Sequence, residues 1–146
     1  MQKYNEDIEY LKKFIKENNL DELYFEKCKE ELLKGKPIQY IIGNVNFYGN
    51  IIKVNENVLI PRFETELLCE KAIKKIKEKF KYPVDIVDLG TGSGCIAITL
   101  KKELDANIDA IDISKEAIQV AKCNAKDNSV DINFINADMV TYKEKR

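Results

Sequence analysis

Val-Asp-Ile-Val-Asp-Leu-Gly-Thr-Gly-Ser-Gly-Cys, residues 84–95, is the stretch of sequence that decides the fold of this chain. Its first half is a short apolar run, which predicts a buried strand. Three glycines at alternate positions follow it, and a helix-compatible segment begins at residue 96. A strand, a glycine turn and a helix in this order are typical of sites for nucleotide-type cofactors, because glycine permits a tight turn and lets a ligand approach the backbone.

An acidic residue stands where such a site needs one. Asp112 ends the next apolar run, residues 108–112, about twenty residues beyond the glycines. A carboxylate at this place can accept hydrogen bonds from both hydroxyl groups of a ribose. The glycine spacing then distinguishes a dinucleotide from other nucleotide-type cofactors. A dinucleotide fingerprint requires glycine or alanine where Cys95 stands, so the spacing argues against a dinucleotide. The pattern present is Asp-x-Gly-x-Gly-x-Gly, from Asp88 to Gly94.

That pattern resembles motif I of class I S-adenosylmethionine-dependent methyltransferases. S-Adenosylmethionine carries no phosphate, and its ammonium group suits a carboxylate such as that of Asp88. The resemblance implies that the cofactor is held by Asp88, by Gly90-Thr91-Gly92-Ser93-Gly94 and by Asp112. It also implies a partial doubly wound, Rossmann-like methyltransferase sheet, which is an α/β fold.

Two further motifs precede the glycine turn. They read Lys-Pro-Ile-Gln-Tyr-Ile-Ile-Gly over residues 36–43 and Leu-Ile-Pro-Arg-Phe-Glu-Thr-Glu over residues 59–66. They resemble signatures of the release-factor glutamine N5-methyltransferase family, which modifies a glutamine in peptide chain release factors. The resemblance covers roughly residues 30–139. It implies a release factor as partner, and Asp138 and Met139 beside the adenine. We predict that Arg62 and Glu66 brace the active-site loop.

The catalytic signature of that family is absent from this sequence. Family members carry Asn-Pro-Pro-Tyr after the fourth strand, whereas these 146 residues contain neither Pro-Pro nor Asn-Pro. We therefore expect no catalytic residue in this chain, and we interpret it as the cofactor-binding half of an enzyme that is inactive alone. An apolar edge on strand 84–89 should then be exposed, and such an edge favours self-association.

Composition restricts the other functions. The 24 basic and 25 acidic residues give a net charge of −1, which argues against a nucleic-acid surface. Four scattered cysteines and the lack of histidine predict no metal site and no imidazole catalysis. The sequence shows no signal-peptide core and no apolar run of membrane-spanning length, so we expect a cytoplasmic protein without a membrane partner.

The remaining patterns predict three regions. Residues 1–43 should be helical over 4–18 and 21–34, with Leu23, Cys28 and Leu32 on one face of the second helix. Residues 44–82 should form a hairpin with a Gly49-Asn50 turn, then a linking helix. Residues 83–146 should form a βαβαβ unit, the N-terminal half of the S-adenosylmethionine-binding domain. Its strands should lie near 84–89, 107–112 and 132–136, and its helices near 93–104 and 115–127.

Other functions remain open at this point. One is a fragment of an NAD-dependent oxidoreductase, which NADH binding would favour. Another is a non-catalytic binding module that recruits a partner through the open strand edge, and a concentration-dependent molecular mass would favour it. Within the methyltransferases, the acceptor could instead be a ribosomal-protein glutamine or an exocyclic amine of nucleic acid.

Overall fold

The chain forms two compact units that meet at Asn44 in the sequence. The computed structural model describes residues 2–143, and no helix within them is long and apolar enough to cross a membrane. The first unit contains a short 3-10 turn, Gln2–Tyr4, and three helices: α1 (Asn5–Glu17), α2 (Glu22–Leu33) and α3 (Ile38–Ile42). The later elements are β1 (Asn44–Phe47), β2 (Asn50–Lys53), α4 (Phe63–Lys79), β3 (Val84–Leu89), α5 (Cys95–Glu103), β4 (Ala106–Asp112), α6 (Lys115–Asp127) and β5 (Asn133–Asn136).

A small core holds the three helices of the first unit together. Its buried members are Leu11, Cys28, Leu32 and Ile38. The prediction that Leu23 belongs to this face is wrong, because its side chain is 80% exposed. Phe25 packs against the core instead. The reason is helical periodicity: positions 25, 28 and 32 are spaced by three and four residues, whereas position 23 lies off that stripe.

A three-stranded parallel sheet in the order β3-β4-β5 forms the centre of the second unit. Val84 pairs with Ala106 at one end of the first ladder, and Asp112 pairs with Asn136 at the end of the second. Helices α5 and α6 connect the strands, and Ser114 caps α6 by accepting a hydrogen bond from the amide of Ala117 at 3.1 Å. The predicted βαβαβ architecture is therefore confirmed, with boundaries shifted by one or two residues.

Strand β3 lies at the edge of this sheet. Within residues 2–143 it pairs only with β4, and its other side has no strand neighbour. On one face of the sheet its side chains Val87 and Leu89 are also accessible, at 38% and 52%, so this strand is not buried as the sequence predicted. An apolar strand with an open edge is the arrangement that the sequence predicted for residues 84–89.

The turn of the β1–β2 hairpin lies one residue earlier than predicted. Tyr48 and Gly49 occupy it, with φ of 51° and 80°, while Asn50 already belongs to β2. Two contacts explain the shift. The amide of Tyr48 donates to the Glu66 carboxylate at 2.6 Å, and the buried Asn50 side chain donates to the Thr99 hydroxyl at 3.4 Å. A turn-favouring asparagine is thus drawn into the strand by a buried partner.

Candidate functional site

The glycine loop connects β3 to α5. The amides of Gly90 and Thr91 both donate to the carbonyl of Ile111, at 2.8 and 2.9 Å, which fastens the loop to the end of β4. Gly92 has a φ of 55°, and a Cβ there would meet no atom within 4 Å, so its outer side is open. Gly94 has a different role, because a Cβ there would lie 3.1 Å from the Cβ of Ala121 on α6. One glycine therefore leaves room for a ligand, and the other permits close packing against a helix.

Asp112 closes the loop from the end of β4. One oxygen of its carboxylate accepts a hydrogen bond from the amide of Gly92 at 2.9 Å. The other accepts one from the amide of Ser114, also at 2.9 Å. Because each carboxylate oxygen has two acceptor positions, both keep one for a ligand. The geometry therefore orients the carboxylate firmly and leaves it able to bind a pair of hydroxyl groups.

A cleft of about 330 Å³ opens beside these two elements. The glycine loop and Asp112 form one wall, and residues 57–62, which follow the hairpin, form the other. Its size falls within the roughly 300–1,000 Å³ of small-molecule sites. The further lining residues are Thr65, Cys95, Ile96, Ser114 and Ala117.

Arg62 and Glu66, which the sequence suggested together, have different surroundings. Arg62 lines the cleft as part of the second wall. Glu66 is not among the lining residues. Its carboxylate instead accepts the hydrogen bond from Tyr48 described above, and so ties α4 to the hairpin turn. Of the two, only Arg62 can contact a ligand in the cleft directly.

Asp88 lies beneath the glycine loop rather than in the wall of the cleft. Its carboxylate accepts a hydrogen bond from the Thr91 hydroxyl at 2.8 Å. Burial raises the pKa of Asp88 and the nearby charge of Asp112 raises it further, while hydrogen bonds from Thr91 and Ala97 oppose the change. In this geometry Asp88 supports the loop from within.

Asp138 and Met139 follow β5 and are exposed. The Asp138 carboxylate accepts a hydrogen bond from the amide of Val140 at 2.9 Å, and Met139 is 55% accessible. Neither residue lines the cleft. Their segment is nevertheless joined to the site, because the amide of Ala137 donates to the Asp112 carbonyl at 3.1 Å. The two residues therefore directly follow a residue that is hydrogen-bonded to the predicted ribose site, and they lie outside the cleft itself.

Sequence reasoning missed the start of the second wall. Asn57 and Val58 belong to no motif, whereas Leu59, Ile60, Pro61 and Arg62 lie in the motif over residues 59–66, although only Arg62 among them was expected near the site. Cys95 was noticed only as a departure from the dinucleotide fingerprint. It lines the cleft as a buried thiol, and burial is the main cause that raises its pKa to about 11.

A parallel α/β sheet with a glycine loop after one strand and a carboxylate at the end of the next defines a Rossmann-like cofactor-binding domain, the class of fold that the class I methyltransferases share. Comparison with known proteins agrees with this class. Residues 64–146 match the family model for the methyltransferase small domain, and the chain belongs to that family.

Individual relatives give a more detailed likeness. The chain is 46% identical over 132 residues to a release factor glutamine methyltransferase of Flavobacterium psychrophilum, covering 89% of this chain and 46% of the relative. It is 44% identical over 124 residues to the enzyme of that name from Bacillus subtilis, covering 82% of this chain and 43% of the relative. The chain thus spans less than half the length of these curated relatives.

A solved structure supports the fold independently. The ribosomal protein L11 methylase of Lactobacillus delbrueckii subsp. bulgaricus superimposes with a TM-score of 0.50 and 28% identity, over 61% of this chain and 45% of that chain. The predicted α/β fold and the resemblance to release-factor glutamine methyltransferases are both confirmed. S-Adenosylmethionine is the methyl donor of this class of enzyme, as the sequence predicted.

Proposed function

We propose that this chain binds S-adenosylmethionine in the cleft between the glycine loop and residues 57–62, as the cofactor-binding part of a protein-glutamine N5-methyltransferase. The observation that carries the proposal is the Asp112 carboxylate. It is held by two backbone amides at 2.9 Å and keeps one acceptor position on each oxygen. A ribose offers the two adjacent hydroxyl donors that such a carboxylate can bind.

The rest of the cleft fits the remaining parts of this cofactor. The open side of Gly92 admits a close ligand, and Arg62 offers a cation to the carboxylate of the methionine part. Asp138 and Met139 follow the next strand, where an adenine beside the ribose would extend. When bound, S-adenosylmethionine supplies an activated methyl group, so the protein chiefly has to orient donor and acceptor.

We also propose a glutamine of a peptide chain release factor as the methyl acceptor, in the cytoplasm. The identities of 46% and 44% to release factor glutamine methyltransferases support this acceptor. The balanced charge supports a protein rather than a nucleic acid, and the four free cysteines are compatible with a reducing compartment.

Calorimetric titration of the chain with S-adenosylmethionine, S-adenosylhomocysteine and NADH tests the cofactor. We expect the two methionine-derived ligands to bind and NADH not to bind. Binding of NADH alone would refute the proposal and favour an oxidoreductase. A folded chain that binds none of the three ligands would also refute it.

A chimeric enzyme tests the acceptor. In it, this chain replaces the matching 132 residues of the Flavobacterium psychrophilum relative. We expect the chimera to methylate a release factor and to lose this activity when the target glutamine of the release factor is replaced by alanine. A folded chimera that binds S-adenosylhomocysteine but leaves the release factor unmodified would contradict the acceptor and not the cofactor.

The open edge of β3 supports a second proposal, self-association of the chain. Its unpaired backbone groups and the accessible Val87 and Leu89 are a template for another copy. Analytical ultracentrifugation should then show a mass that rises with concentration, and Val87→Lys should shift the equilibrium to the monomer. A constant monomeric mass would refute this proposal.

A further inference from the structure

One fully buried polar side chain outside the cleft contacts the glycine loop and the end of the strand that leads into the second wall. Asn124, on α6, is 0% exposed. Its amide nitrogen donates to the carbonyl of Ser93 at 2.9 Å and to the carbonyl of Lys53 at 2.9 Å. Its amide oxygen accepts from the backbone amide of Lys53 at 2.8 Å. Both donor hydrogens and the oxygen of this amide are thus hydrogen-bonded.

The two partners of Asn124 lead to different walls. Ser93 is part of the glycine loop and itself lines the cleft. Lys53 is the last residue of β2, and residues 54–56 connect it to residues 57–62, the opposite wall. The same amide group therefore holds one wall and the end of the strand that leads into the other.

The chemistry of this position is specific to asparagine. The contacts with Lys53 and Ser93 need one acceptor and two donors at the end of a short side chain. Aspartate would offer no donor when ionised, and leucine would offer neither. Because every partner is a backbone group, the arrangement does not depend on the identity of residues 53 and 93. A buried amide with all its hydrogen bonds made holds its neighbours in one arrangement.

Other contacts attach the hairpin to the same helix without reaching the loop. The Asn128 amide donates to the carbonyl of Ile51 at 3.1 Å, and Lys53 and Asp127 form an ion pair at 2.8 Å. Asn128 therefore provides a matched control, since its side chain fastens the hairpin to the end of α6 and its hydrogen bonds go to Lys102, Ile51 and the Asn124 carbonyl, outside the glycine loop.

We propose that Asn124 is a positioning residue for the cofactor site. Asn124 sets the distance between the glycine loop and the second wall, residues 57–62, and thereby the affinity for S-adenosylmethionine. This inference rests on the proposed function for its ligand. It goes beyond it by assigning a role to a residue that lines no part of the cleft and contacts no cofactor.

The first test compares Asn124→Ala with Asn128→Ala. We expect Asn124→Ala to weaken S-adenosylhomocysteine binding by about tenfold or more, since small displacements of positioned groups can have effects of this size. Asn128→Ala should lower the melting temperature but change the affinity by less than about twofold, as a substitution remote from the ligand does. If both variants lose affinity in proportion to their loss of melting temperature, Asn124 is merely structural and the proposal is wrong.

The second test needs no ligand. Amide hydrogen exchange of Gly92 and Gly94 reports the order of the loop, because these amides donate to Asp112 and to the Thr91 carbonyl. We expect Asn124→Ala to accelerate their exchange and Asn128→Ala to leave it unchanged, at a temperature where both variants are folded. Unchanged exchange in Asn124→Ala would overturn the proposal. A wild-type chain that binds no S-adenosylhomocysteine would refute the proposed function, and this second test would still decide the role of Asn124.

Discussion

Replacing Asp112 with alanine should separate the two roles that the structure combines in this carboxylate. Within the protein, its oxygens accept the amides of Gly92 and Ser114, each at 2.9 Å. Towards the cleft, the same oxygens retain one acceptor position each. Asp112→Ala therefore removes an internal brace and the expected partner of a ribose.

The magnitudes follow from these contacts. A hydrogen bond to a charged group contributes roughly 1.5–3 kcal/mol, and a lost partner costs about 1–3 kcal/mol when the remaining group is buried. Gly92 and Ser114 are half-buried, so water can reach their amides, and we expect a stability loss near the lower end, about 1–2 kcal/mol. Loss of the ribose contacts should weaken binding by roughly 1–3 kcal/mol, which corresponds to about 5- to 150-fold in Kd.

Calorimetry with S-adenosylhomocysteine measures the affinity, and urea unfolding measures the stability. Asp109→Ala is the matched control, because this carboxylate also lies on β4 and accepts from Asn133 at 2.9 Å and from the Tyr142 hydroxyl at 3.2 Å, outside the cleft. The control should lose stability and keep its affinity. A folded Asp112→Ala variant with wild-type affinity would refute the assignment of Asp112.

Three further outcomes are expected. Gly92→Val should abolish S-adenosylhomocysteine binding, because it places a side chain on the open side of the loop. Gly49→Val also changes a glycine at positive φ, but in the hairpin turn, and should lower the stability without changing the affinity. Calorimetry of both variants distinguishes the two effects. Burial raises the pKa of Asp88, so its neutral form stabilises the native state fully below the ordinary value of 3.8, and this contribution is lost as the pH rises through the raised value. Asp88→Asn should therefore raise the melting temperature near neutral pH but not below about pH 3.5. If the variant and the wild type melt at the same temperature at neutral pH, burial of Asp88 does not destabilise its charged form. Iodoacetamide at about pH 8 should modify the exposed Cys123 first and leave Cys95 unmodified, because burial raises the pKa of Cys95 to about 11. Mass spectrometry shows the order of labelling, and early labelling of Cys95 would contradict this prediction.

Local patterns predicted much of the fold correctly. The alternate glycines and the order of strands and helices around them depend on a few residues each, and the structure has each where the sequence placed it. The errors arose where a distant partner decided the outcome. The Gly49-Asn50 turn seemed favourable by itself, but Thr99 draws the Asn50 side chain into the interior. Leu23 is exposed because the rest of the first unit covers the other face of α2.

The candidate site shows the same division. Motif spacing alone brought Gly90 to Gly94 and Asp112 together, because the carboxyl ends of adjacent parallel strands share one edge of the sheet. Spacing could not tell that Asp88 supports the loop from below, or that Glu66 holds the hairpin while Arg62 lines the cleft. A motif gives the positions of these residues in the chain, but the direction of each side chain depends on what packs against it.

The sequence by itself determined the strand–glycine–helix order, because this order depends on short-range sterics. Its motifs also carried the resemblance to the methyltransferases, which implied the cofactor, because a motif consists of residue types at fixed spacing. Only the tertiary structure decided how the cleft is closed. The strand that leads into its second wall is held at Lys53 by Asn124, 71 residues away in the chain. Hydrogen bonds between such distant positions leave no periodic trace in a sequence, since they form only when packing buries one polar side chain beside the backbone of another element.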